Sequence, residues 1–114
     1  MTTVVIEKSP SGAYKGFTCM GHAGYADDGD PDILCSAISA LSIHTINGLE
    51  KAAGQKLDVK TDESTGFMRV QILDEPGVGA NVLMDAFVHS MKELSSEYGH
   101  KFLRIQFKEV KDNA

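Results

Sequence analysis

Two periodicities run through the chain. Thr2–Lys8 (TTVVIEK) is β-branched and stops at Ser9-Pro10-Ser11-Gly12, so a strand and then a turn are expected. Tyr14–Met20 (YKGFTCM) is its expected hairpin partner. Alternation puts Phe17 and Cys19 on one face and Thr18, Met20 and, if the strand extends, His22 on the other. Residues 24–30 (GYADDGD) read as a loop. Asp30-Pro31 suits a helix start, with Asp as cap and Pro in first position, and the helix is expected to run to about Ala53 and stop at Gly54. Its apolar stripe is Leu34, Ala37, Ile38, Leu41, Thr45 and Leu49, and Asp32, Cys35, Ser39 and Ser42 fall on the opposite side.

Alternation returns in residues 56–62 (KLDVKTD), with Leu57, Val59 and Thr61 on one face, and in residues 67–73 (FMRVQIL), across a Ser64-Thr65-Gly66 turn. After Glu75-Pro76-Gly77, residues 80–98 show helical spacing, with Val82, Leu83, Ala86, Phe87, Met91, Leu94 and Tyr98 as the apolar face and Gly99 as the stop. Residues 101–110 alternate as a final strand, and residues 111–114 are a tail expected to fray. The order ββαββαβ predicts an α+β fold. It is a small two-layer sandwich with two helices packed on a mostly antiparallel sheet, one domain over residues 1–114.

Composition narrows the function classes. The net charge of −5 argues against a large phosphate-binding surface, so no direct nucleic-acid partner is expected. The acidic run at residues 27–32 lacks the EF-hand alternation, and no cysteine or histidine pair has zinc spacing, so no metal or cofactor is expected. The start of the chain turns polar early and no run of about 18 apolar residues occurs, so neither a signal peptide nor a membrane span is expected. Cys19 and Cys35 are read as reduced thiols of a cytoplasmic protein.

Cys35 carries the candidate chemistry. A lone cysteine is most often a small buried hydrophobe. Three features set this one apart: an early turn of a helix, a strip of small polar neighbours, and His22 a loop away. His22 as base and Cys35 as nucleophile would perform acyl transfer. Asp32 either favours the helix start or orients His22, and Ser39 either donates into the site or only lines the helix. Gly24, Gly29 and Asp30 belong to the loop expected to be mobile and to close over a substrate, with backbone N–H groups near the helix start holding the oxyanion. Cys19 is read as structural. The rival reading is a non-catalytic protein-binding module with an inert Cys35 and an acidic docking loop.

At Gly21-His22-Ala23, followed after the loop by Asp32-Ile33-Leu34-Cys35-Ser36-Ala37 and Ser39, the sequence resembles the ribosomal-processing cysteine protease family, Prp. The family pattern is a GHA element, a loop, then D-I-V-C with a serine four residues on, and Leu34 stands here where valine is usual. The resemblance extends over the whole predicted element order. It implies a homodimeric cytoplasmic endopeptidase that removes the N-terminal extension of a large-subunit ribosomal protein, number twenty-seven, after an aromatic pair. It also implies His22 and Cys35 as the catalytic dyad, with Asp32 and Ser39 at matching motif positions; the non-catalytic rival is then a ribosome-assembly or protein-binding module with an inert Cys35.

Overall fold

A computed structural model describes residues 1–27 and 29–111. Asp28 of the acidic run and residues 112–114 of the tail lie outside the described residues. The strands are β1 (Thr2–Lys8), β2 (Tyr14–Met20), β3 (Leu57–Asp62), β4 (Phe67–Ile72) and β5 (Leu103–Glu109), and the helices are α1 (Ile33–Asn47) and α2 (Val78–Tyr98). The predicted order ββαββαβ is the observed one.

The sheet order is β3-β4-β2-β1-β5. Both hairpins form, and β2 pairs antiparallel with β4. Only β5 departs, pairing parallel with β1 at the edge of the sheet opposite β3, because α2 carries the chain back across one face. Val4, Ile6, Phe17, Cys19, Val70, Ile72 and Leu103 turn to the helix side and are buried. Phe17 meets Phe87 of α2 with ring centroids 4.3 Å apart, which ties the sheet to that helix.

The first helix, α1, differs from expectation in three ways. The first is the start of α1. Asp32, not Asp30, caps it, and Pro31 lies before the cap, because Asp32 is the residue whose carboxylate reaches the N–H of Cys35. The second is its last turn, which is π-helical at Gly48–Ala52 with Leu49 buried, although the helix still stops just before Gly54 as expected. The third is rotation. Ser42, assigned to the polar strip, is 1% exposed, while Ala37 and Leu41 are half-buried. Burial of Ser42 is tolerated because its hydroxyl donates to Ile38 O at 2.7 Å.

On α2 the buried stripe is Ala80, Met84, Phe87, Val88, Met91 and Ser95, while Val82 and Ala86 are exposed. Ser95 substitutes for an apolar residue there by donating to Leu103 O at 2.7 Å. Phe107, which alternation puts on one face with Leu103 and Ile105, is exposed, and the Lys92 side chain of α2 reaches over its ring, with Nζ 5.2 Å from the centroid. The stretch Ile33–Ala52 is long and apolar enough, by length and composition, to cross a membrane. Leu34, Ile38, Thr45 and Leu49 instead seat it on the core.

Candidate active site

β2 ends at Met20, and the chain turns at Gly21, whose φ is +86°. Thr2 Oγ1 donates to Gly21 O at 3.1 Å and fixes that turn against the start of β1. His22 follows with an exposed imidazole, whose Nε2 lies 3.5 Å from Ser64 O in the β3–β4 turn. This contact is at the long limit for a hydrogen bond. With Nε2–H donating to that carbonyl, the lone pair rests on Nδ1.

The turn comes this close because residue 66 is glycine. A Cβ on Gly66, which has φ +67°, would stand 2.7 Å from Gly21 O and 3.1 Å from His22 Cε1. No sequence signal beyond a turn-forming Ser-Thr-Gly pointed to this role, since the contact joins two hairpins far apart in the chain.

Cys35 sits in the first turn of α1 and is half-buried. Its Sγ accepts a hydrogen bond from Ala23 N at 3.1 Å. That bond and the helix N-terminus behind it set positive partial charge beside the sulfur. Asp32 does not reach His22. Its Oδ1 accepts from Cys35 N and its Oδ2 from Tyr25 N, each at 2.9 Å. Partial burial works against the Asp32 carboxylate, but the N–H groups of Cys35, Tyr25, Ala26 and Leu34 outweigh it and hold its pKa below the usual value.

The same hydrogen bonds correct another expectation. N–H groups at the helix start were to hold an oxyanion, yet those of Leu34 and Cys35 already face Asp32, and that of Ser36 donates to Asp32 O at 3.0 Å. Among the described residues, His22 and Cys35 form no direct hydrogen bond.

The two nevertheless open onto one cavity of about 600 Å³. Ile38, Ser39, Ile43 and Ile46 of α1 line one wall, and Val59, Thr61, Phe67 and Met68 of the β3–β4 hairpin line the other. Ser39 is exposed on this wall. Cys19 also borders the cavity, although alternation had turned it away from His22, because β2 presents it to the helix side that the cavity penetrates. Its Sγ is 3.7 Å from Ser42 Oγ. Burial pushes its pKa up to about 11, against a smaller lowering by Ser42.

Of the expected mobile loop, Gly24 and Gly29 have positive φ and open space about them, and Asp30 N donates to Asp27 O at 3.0 Å. Tyr25 between them packs edge-on against Tyr98 and Phe102, with centroids 5.1 Å away in both cases. That side of the loop is pinned to the end of α2.

Residues 1–103 match the family described as cysteine protease Prp. The chain belongs to that family. It is thus a cysteine protease, and Gly21, His22, Cys35 and Ser39 of the motif line the cavity. The chain is similar to the ribosomal processing cysteine protease Prp of Staphylococcus aureus, 23% identical over 108 residues that cover 95% of this chain and 100% of the relative. The crystal structure of S. aureus Prp with a covalently linked product peptide superposes with a TM-score of 0.85 at 23% identity, covering 95% of this chain and 100% of that one. The complex of the same protease with a substrate peptide gives 0.82 at 22% identity, with the same coverage. A protein of Streptococcus mutans gives 0.81 at 23% identity, covering 96% and 99%. These likenesses establish the Prp fold for the whole length of the sheet and both helices.

Proposed function

We propose that this Prp-family protease is an endopeptidase of ribosomal-protein processing. It removes the N-terminal extension of large-subunit ribosomal protein number twenty-seven after an aromatic pair, and works as a homodimer in the cytoplasm. The observation that carries the reading is the shared cavity, in which a half-buried thiol on a helix N-terminus and an exposed imidazole face one apolar groove. The ribosomal substrate follows the name of the S. aureus relative, and an aromatic side chain suits the apolar walls.

His22 Nδ1 takes the proton of Cys35. The sulfur then attacks the carbonyl carbon after the aromatic pair, forming a thioester as the amine leaves with the proton returned from His22. Water hydrolyses the thioester. The free structure holds the dyad apart from direct contact, so a bound substrate or a shift of the loop at residues 24–31 brings the imidazole onto the sulfur.

The test is intact-mass analysis of the extended ribosomal protein after incubation with wild type, Cys35→Ser and His22→Ala. A single cut after the aromatic pair is expected with wild type, and a fall of at least about 10³-fold with either variant, both remaining folded. Cleavage at many sites, or activity retained in either variant, would overturn the reading. The dimer is checked by light scattering, with twice the chain mass expected.

A further inference from the structure

The sheet order leaves β3 as an edge strand, and this edge borders the cavity. The register fixes which of its backbone groups are free. Leu73 N donates to Lys56 O at 2.8 Å, so these two residues form a directly bonded pair. In an antiparallel ladder such pairs alternate with pairs whose N–H and C=O groups turn away from each other. The bonded pairs are then Asp58 with Gln71, Lys60 with Arg69 and Asp62 with Phe67. Leu57, Val59 and Thr61 are the turned-away members on β3. The N–H and C=O groups of Val59 and Thr61 therefore point off the sheet, and both residues line the cavity. Neither proline nor a bulge guards this edge, since the register is unbroken from Leu57 to Asp62.

We infer that the β3 edge is the docking rail for the acyl side of the substrate. Residues N-terminal to the cut join the sheet as an added strand on Val59 and Thr61. Every second substrate amide pairs with the edge, and every second side chain enters the groove between Ile43 and Ile46 on one side and Val59 and Met68 on the other. The occupant is an extended peptide with a free N–H at alternate positions and an apolar side chain at the groove-facing ones. Since neighbours on a strand face opposite ways, the groove reads one member of an aromatic pair and not both. This inference rests on the peptidase reading above.

The experiment uses a peptide spanning the aromatic-pair cut, N-methylated at one acyl-side amide at a time, with wild-type enzyme. Loss of kcat/KM is expected to alternate with period two, about tenfold at pairing positions and below about threefold between them. On the enzyme side, Val59→Pro removes an N–H that points off an edge, a place where proline is tolerated. It should raise KM about tenfold with kcat nearly kept. Lys60→Pro, which removes an N–H directed at β4, should instead lower Tm. A methylated series with uniform losses or none, beside an intact parent that is cut, overturns the rail and leaves the endopeptidase reading standing. An unchanged KM in folded Val59→Pro overturns it as well. A parent peptide left uncut overturns both.

Discussion

Both oxygens of Asp32 are taken by backbone donors, one on Cys35 and one across the loop on Tyr25. A carboxylate so used supports the turn that carries Cys35 rather than the imidazole. Asp32→Ala is therefore expected to cost about 1 kcal/mol in denaturant unfolding at pH 7. The folded pKa of Asp32 is depressed, so its stabilisation is present above the unfolded value near about 3.9 and is lost as pH falls through the folded value. The gap between Asp32→Ala and wild type should narrow below about pH 4. Asp32→Asn keeps an acceptor and should lose less than about tenfold in kcat, whereas an Asp that oriented the histidine would cost about 10⁴-fold.

The thiols divide in a similar way. With Cys19 raised to about 11, alkylation of the folded protein at pH 8 should modify Cys35 alone, and Cys19 should follow only near pH 11 or on unfolding; equal labelling at pH 8 would show that Cys19 is not held as described. That His22 and Cys35, which both line one cavity, stand in one motif was legible. The Ser64 carbonyl and the Ala23 N–H were not, because a backbone group carries no side-chain signature and these contacts arise only from tertiary approach.

At the scale of elements, the strands were easier to read than the helix faces. β1 and β2 lie where alternation and turn residues put them. α1 and α2 are apolar on more than one side, so several stripes fit 3.6-residue spacing, and the choice between them was made by partners: Ser42 by Ile38 and Cys19, Ser95 by Leu103. The contact between the two hairpins is the element-level feature most exposed to test. Gly66→Ala would drive a methyl group into Gly21 O and force an L-residue to positive φ. The β3–β4 turn should withdraw from His22, with kcat/KM falling about 10²-fold and helix content by circular dichroism unchanged. Full activity in that variant would mean that the Ser64 contact does not position the base.

Across the whole molecule, no single segment owns the site. β2 delivers His22, α1 delivers Cys35, and the β3–β4 hairpin delivers the groove wall and Ser64. The sheet that aligns them is completed at one side by β5, which docks parallel to β1 from the far end of the chain. Pairings of such high sequence separation form late, because loop closure precedes any contact that rewards it. Activity is thus a property of the finished fold. In refolding, proteolysis should lag the recovery of helical circular dichroism, and a chain still emerging from the ribosome should be inert toward its neighbours until its last strand has been synthesised.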